Sequence, residues 1–213
     1  MTKKILSFYL LLFISIVSWS QETYYNDVNI DLTGIALKNA LATKITVTHT
    51  KKLNYTPDVW EASKITDANP NNTSQVILIY GWENGSDSNI NNDKFRDNTL
   101  QDTGSGTAFV WNREHVFSKS LANPSLTTGD PGPGTDAHNL RPADRGTNST
   151  RGNKPFAAGS GNAGTVNSSN WYPGDEWKGD VARMMMYMYV RYGDQCLPTA
   201  VGVGSSASTP DAM

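Results

Sequence analysis

Short apolar segments separated by long polar stretches limit what this 213-residue chain can fold into. The polar stretches are rich in Asn, Gly, Ser and Thr, which favour turns and loops. Cys196 is the only cysteine, so no internal disulfide can stabilise these loops, and we expect a buried structural thiol. Packing must therefore hold the fold, and large contributions are expected from Trp60, Trp82, Trp111, Trp171 and Trp177.

The apolar patterns predict both helices and strands. Helical spacing is clearest over 175–192, with Asp175 as the candidate N-cap, and further helices are predicted at 33–48 and 55–65. Residues 75–80 form a β-branched run of strand length. This mixture indicates the α+β class.

The centre of the chain follows a strand, strand and helix order. Residues 108–111 read as a strand, 139–142 as a short strand or extended piece, and 143–153 as a helix. The polar segment 83–107 before them is predicted to be a surface loop.

The first 20 residues have the features of a cleavable secretory signal, with Lys3 and Lys4 before an apolar run at 5–17. That run is shorter than the roughly 20 residues of a membrane span. We therefore expect a secreted or periplasmic monomer that has no membrane segment in its mature form. We expect its catalytic domain to cover 21–205, followed by a loose tail at 206–213 that marks a truncated end.

Charge is distributed unevenly along the chain, whose net charge is −2. Residues 113–191 contain nine Lys or Arg and seven Asp or Glu, whereas 21–110 contain seven and eleven. Proteins that bind nucleic acid are usually basic overall. The local excess favours a phosphate-binding cleft over a protein that coats long DNA.

The chemistry concentrates in three motifs. Residues 113–115 read Arg-Glu-His, 136–140 read Asp-Ala-His-Asn-Leu, and 148–153 read Asn-Ser-Thr-Arg-Gly-Asn. Such residues can bind a hard divalent cation, activate a water and contact a phosphate, which are the requirements of phosphodiester hydrolysis. The sequence therefore predicts a metal-dependent phosphodiesterase.

Each residue type suits one role. Imidazole titrates near neutral pH, so His115 is the predicted general base. Mg²⁺ takes one or two oxygen ligands from a protein, for which Glu114 and Asn148 are the candidates, although Asn148 also begins a glycosylation sequon. Ca²⁺ or Mn²⁺ are alternative metals. Arginine binds phosphate bidentately, and the candidates are Arg113, Arg141 and Arg151, the last also as a catalytic residue.

Three further residues are predicted to support the site from behind: Asp136, His138 and Asn139. A direct role for His138 is the less favoured alternative. His115 and His138 lack a familiar zinc spacing, so a zinc phosphoesterase is a third hypothesis only.

Together, these motifs resemble the endonuclease I family of bacterial periplasmic or extracellular nucleases, over roughly residues 24–205. The resemblance implies an α+β fold in which helices and short antiparallel strands surround a ββα-metal, or His-Me finger, motif. It implies nonspecific Mg²⁺-dependent cleavage of DNA, often of RNA too, that leaves 5′-phosphates. It also implies His115 as general base, Glu114 and Asn148 as metal ligands, and an arginine on the phosphate.

Two departures from the family pattern keep another hypothesis open. Some family members are disulfide-rich, and family chains usually continue beyond the point where this one stops. Because of the early stop and the acidic balance, a catalytically silent exported binding module with the same fold is the alternative to a nuclease.

Overall fold

The computed structural model describes residues 20–84, 86–104 and 109–203. The predicted apolar run of the secretory signal and the tail at 206–213 lie outside these residues. Among the described residues, no helix has the length and hydropathy needed to cross a bilayer.

Six α-helices are present in the described residues, and the predicted helices are among them. They are α1 Ser20–Tyr25, α2 Gly34–Thr48, α3 Asp58–Thr66, α4 Arg145–Arg151, α5 Lys178–Tyr192 and α6 Pro198–Val201. The prediction placed the start of α5 too early. Trp177 is the N-cap of this helix, because the Asp175 carboxylate instead accepts hydrogen bonds from the Tyr172 hydroxyl and the Gly161 amide.

In the same described ranges, seven short strands form three small antiparallel sheets. The strands are β1 Ala68–Asn69, β2 Asn72–Ile77, β3 Phe95–Asp97, β4 Trp111–His115, β5 Leu140–Asp144, β6 Gly164–Val166 and β7 Asn170–Tyr172. They pair as β1-β2-β3, β4-β5 and β6-β7. Mixed helices and short antiparallel strands confirm the predicted α+β class.

Strand β3 corrects the prediction of a continuous loop over 83–107. It pairs antiparallel with β2 in the register Val76↔Arg96. The buried Arg96 donates to the Asp144 carboxylate at 3.2 Å and to a backbone carbonyl, that of Ile90. The sequence pattern concealed this strand because its inward residue is a charged one.

Strands β4 and β5 and helix α4 form a continuous ββα unit that carries the motifs. The two strands pair antiparallel from Trp111↔Asp144 to His115↔Leu140. The helix follows β5 directly, and its N-cap Asp144 accepts a hydrogen bond from the Thr147 amide at 2.9 Å. The unit therefore brings the first and third motifs together.

Two apolar clusters hold these elements. The larger packs one face of α5, including Met185 and Met188, against Phe117 and Trp171. The smaller contains Trp60, whose ring meets that of Trp111 edge-on. Cys196 is buried, and burial raises the pKa of its thiol to about 12, as expected of a structural residue. Trp82, by contrast, is 37% exposed and was wrongly assigned to the core.

Candidate active site

An open pocket of about 350 Å³ lies beside the end of β4 and contains both the first and the third motif. Four of the predicted site residues line it: Arg113, Glu114, His115 and Asn148. Neighbouring residues on a strand normally face opposite sides of the sheet. Glu114 and His115 can share a pocket because β4 ends at His115 and the chain turns there.

The turn after β4 is held by Asn139, which is completely buried. Its Oδ1 accepts a hydrogen bond from the Phe117 amide at 2.7 Å, and its Nδ2 donates to the Phe117 carbonyl at 3.1 Å. A side-chain amide that replaces a missing strand partner fixes the chain direction just beyond His115. This contact is the geometric basis for a supporting role of Asn139.

His115 is held in one tautomer. Its Nε2 lies 2.7 Å from the Gly134 carbonyl oxygen, which can only accept, so Nε2 carries the proton and Nδ1 carries the free lone pair. The Tyr55 ring stacks on the imidazole at 5.7 Å between centroids. Burial lowers the pKa of His115 to about 4, against the opposing effect of the Gly134 bond. The ring is therefore an uncharged base at neutral pH.

Glu114 is buried, with one carboxylate oxygen engaged by the protein. Its Oε1 accepts from the Tyr80 hydroxyl at 3.1 Å and pairs with Arg151 Nη1 at 3.0 Å. Burial raises the pKa of Glu114 to about 7, although Arg151 and Tyr80 both act to lower it. These contacts leave Oε2 for a further partner, and a cation there would favour the charged form.

Asn148 lies on α4 and lines the same pocket. Its Nδ2 donates to Asn112 Oδ1 at 2.7 Å, which uses the amide nitrogen and leaves the Oδ1 lone pairs available. Asn112 lies on β4, so the contact ties the helix to the strand that carries Glu114. The orientation of the amide is thus set by the ββα unit itself.

The donor set fits a hard cation. Glu114 Oε2 and Asn148 Oδ1 are both oxygen donors, and Mg²⁺ commonly takes one or two such ligands and keeps several waters. Zinc prefers three or four side chains that include His or Cys. The part of the chain that the structure describes contains no group of three or more His, Cys, Asp or Glu placed to hold a metal.

Arg151 lies behind the pocket and not on its surface, where the sequence predicted a contact with phosphate. Its side chain is fully buried, and Nη1 and Nη2 donate to the backbone carbonyls of His115 and Val116 as well as to the Ser118 hydroxyl. It also pairs with Glu114 and does not line the pocket. This geometry favours a role in positioning Glu114 and His115 over the predicted contact with phosphate.

Arg113 is the arginine that reaches the pocket. Its guanidinium carbon lies 3.5 Å from the Tyr55 ring centroid and 3.9 Å from that of Trp60. Nη1 donates to the Tyr55 carbonyl and to the Thr56 hydroxyl, while the buried Nε has no hydrogen-bond partner among the described residues. Burial lowers its pKa from the usual value, so an anion nearby would stabilise the charge.

Arg141, Asp136 and His138 lie outside this pocket. Arg141 pairs with Asp67 and lines a separate pocket beside His138. Burial alone would raise the pKa of the Asp136 carboxyl. The hydrogen bonds that it accepts from His138, Tyr192 and Tyr187 outweigh this effect and hold the pKa well below the usual range. The second motif is therefore divided, with Asn139 behind the active pocket and the other two residues on a different surface.

Comparisons with known proteins agree with the three motifs. The family model of Endonuclease I matches residues 33–211. The chain belongs to the endonuclease I family.

Curated relatives match most of this chain. An extracellular ribonuclease of Bacillus amyloliquefaciens is 43% identical over 177 residues, which is 80% of this chain and 54% of the relative. An extracellular ribonuclease of Bacillus subtilis (strain 168) is 42% identical over 184 residues, 83% of this chain and 56% of the relative. The chain spans about half the length of these relatives, and no solved structure matches it.

Within this endonuclease I chain, sequence reasoning missed several pocket residues. Lys119 is exposed and lines the pocket, as do Tyr55, Ser118, Ser120 and Asn153. Lys119 had a usable signal, because it follows His115 by four residues. Tyr55 had none, since 60 positions separate it from His115 and only folding stacks the two rings.

Proposed function

We propose that this protein is an exported endonuclease that hydrolyses phosphodiester bonds of RNA and DNA with one divalent cation, preferably Mg²⁺, and His115 as general base. The observation that carries the proposal is the pairing of His115 Nε2 with the Gly134 carbonyl. It leaves Nδ1 unprotonated on a residue that lines the same pocket as Glu114 and Asn148.

His115 would take the proton from the attacking water. With a pKa of about 4, it is unprotonated at neutral pH and available as a base. When Nδ1 accepts the proton, the Gly134 carbonyl can stabilise the cationic ring through the Nε2–H bond. The stacked Tyr55 ring restricts rotation of the imidazole, so the lone pair stays directed to one place.

Glu114 and Asn148 would hold the cation in this His-Me finger arrangement. When bound, the cation supplies charge stabilisation for the phosphate and the leaving oxygen. Arg151 fixes one carboxylate oxygen of Glu114 and favours its ionised form, so that the other oxygen is set for binding. Its full burial makes this alignment rigid.

Arg113 and Lys119 are the proposed phosphate contacts. Arg113 is pre-oriented by two aromatic rings and lines the pocket, whereas Lys119 is an exposed cation on the other side of His115 along the chain. Expulsion of the 3′ oxygen would leave 5′-phosphate products. The relatives named extracellular ribonucleases and the expected secretory signal support an exported enzyme that accepts RNA.

A metal titration of cleavage tests the proposal. Wild-type protein should degrade RNA and plasmid DNA with Mg²⁺ and lose this activity in EDTA. Glu114→Gln and Asn148→Ala should each require at least roughly tenfold more Mg²⁺ for half-maximal activity, since the first replaces an anionic ligand with a neutral amide and the second removes a ligand. Arg141→Gln is a control, because Arg141 lies in a separate pocket.

Two outcomes would contradict the proposal. Unchanged Mg²⁺ requirements in both variants would exclude these side chains as ligands. If folded wild-type protein leaves both nucleic acids intact with Mg²⁺, the catalytically silent binding module becomes the better hypothesis.

A further inference from the structure

A second pocket, of about 340 Å³, lies beside the loop that supports His115. Residues 131–133 and Thr135 line it, and Gly134, between them, is the residue whose carbonyl holds His115 Nε2. We call it the basic pocket, since its lining includes the cationic residues Lys51, Lys52 and Arg191. None of these three enters the mechanism proposed above.

The positive charge of the basic pocket is little compensated. Lys51 and Lys52 are exposed and form no ion pair with other described residues. Arg191 donates to the Thr46 hydroxyl and to the His49 Nδ1, so neither of these contacts is with a carboxylate. The one carboxylate in the lining, Asp136, already accepts hydrogen bonds from two tyrosines and His138.

His138 adds a polar ring to the rim. Its side chain is 64% exposed, and its Nδ1 bonds the Asp136 carboxylate at 3.0 Å. A carboxylate accepts, so Nδ1 donates and Nε2 is directed away from Asp136. The ring stacks on Tyr187 at 4.3 Å, which limits its rotation. The imidazole is therefore an oriented polar group at the rim, and the three cations of the lining carry the attraction for an anion.

The basic pocket and the active pocket are linked by one short segment of the chain, residues 51–55. Lys51, Lys52 and Leu53 line the former, and Tyr55 lines the latter. Three residues of extended chain span at most about 10 Å. A helical nucleic-acid strand advances about 3.4 Å per phosphate along its axis, so roughly three nucleotides cover this distance. One strand can therefore reach both pockets.

We propose that the basic pocket is a second phosphate-binding subsite, which holds the backbone of the substrate strand a few nucleotides from the bond that is cleaved. This inference rests on the proposed nuclease function. Flexible lysines bind phosphate as point charges and read no base, which matches an enzyme without sequence preference.

The salt dependence of binding tests the subsite directly. The ligand is a labelled phosphorothioate strand of about 12 nucleotides, which keeps the backbone charge and resists hydrolysis. Wild-type protein with Mg²⁺ is compared with Lys51→Gln/Lys52→Gln by fluorescence anisotropy at about 50–200 mM salt. Loss of two phosphate contacts should reduce the slope of log Kd against log salt by about 1.4.

The matched control is Lys64→Gln/Lys178→Gln, which makes the same change in net charge. Neither Lys64 nor Lys178 lines either pocket, and both are paired with acidic neighbours. The slope of this control should equal that of wild type. Lys51→Arg/Lys52→Arg should keep the wild-type slope, since the subsite requires two positive charges and not the particular shape of the lysine side chain.

Cleavage kinetics separate the subsite from the active pocket. The Lys51→Gln/Lys52→Gln change should lower kcat/KM for the 12-nucleotide RNA at least roughly tenfold more than for bis(p-nitrophenyl) phosphate, a single diester too short to span both pockets. The loss should appear mainly in KM.

A slope equal to that of the control variant would overturn the subsite, whatever the cleavage rates. If wild type cleaves both substrates while the lysine variant matches the control, the nuclease proposal stands and the subsite fails. If wild type cleaves neither, the nuclease proposal fails, and the binding slopes still decide whether the basic pocket holds a strand.

Discussion

Two histidines lie near the 131–135 loop, and their surroundings differ. His115 is 8% exposed and donates from Nε2 to a backbone carbonyl. The side chain of His138 is 64% exposed and donates from Nδ1 to the Asp136 carboxylate. Burial beside a neutral acceptor favours the uncharged ring, as a general base requires. Two side chains of the same type are therefore suited to different roles, as a base or as a binding group, by their hydrogen-bond partners and their exposure to solvent.

Alanine substitutions provide the strongest test of this difference. His115→Ala should reduce kcat by about 10²–10⁴-fold, the usual contribution of a positioned general base. His138→Ala should stay within about tenfold, because it removes at most one contact with the strand. Rates on RNA with saturating Mg²⁺ measure both, with thermal unfolding as the check on folding. Equal losses would remove the distinction between the two rings.

Arg151, behind the active pocket, should contribute more to the stability of the fold than Arg191, in the lining of the basic pocket. Arg151→Met leaves Glu114 buried without its partner and should lower the free energy of unfolding by about 3–5 kcal/mol near pH 8. Arg191→Met, on the side of the basic pocket, should cost about 1 kcal/mol or less. Urea unfolding measures both. A small effect at Arg151 would mean that Glu114 does not depend on this ion pair.

The pH dependence of metal binding should follow Glu114 and not His115. The pKa of Glu114 is raised to about 7, so protons compete with the cation below that pH, whereas His115 remains an uncharged base down to about 4. The Mg²⁺ concentration for half-maximal activity should therefore rise about tenfold per pH unit below 7. Glu114→Gln should abolish this dependence, and a pH-independent requirement in wild type would contradict it.

The smallest expected effect is on the free energy of unfolding, after removal of one hydrogen bond to Asp136. Tyr192→Phe removes one of the hydrogen bonds that lower the pKa of Asp136 and should cost about 1 kcal/mol of unfolding free energy at neutral pH. Because the folded-state pKa is depressed, this stabilisation is present above the unfolded value near 3.8 and is lost as the pH falls below it. Urea unfolding at two pH values measures the loss, and equal values for wild type and variant at neutral pH would contradict it.

Several elements were predictable because their signals are local. Helix α5 buries apolar residues at helical spacing, such as Val181, Met185 and Met188, and strands β4 and β5 follow from short apolar runs around the motifs. The apolar residues of α2 also predicted a helix correctly, but none of them is buried as the pattern implied. Strand β3 was not predictable, because its inward residue is Arg96, whose charge is balanced by a carboxylate 48 positions away. A buried charged residue interrupts the apolar alternation by which strands are predicted, and its burial makes sense only when its ion-pair partner is known.

The types and order of the residues were enough to indicate the family, the α+β class and the set of Glu114, His115 and Asn148. Folding alone places Arg151 in the interior behind the site, Arg113 in the active pocket, and Lys51 and Lys52 in the separate basic pocket. The physical reason is that burial and pairing arise from contacts between distant segments. The same guanidinium can bind a phosphate or stabilise a buried carboxylate according to what folds around it.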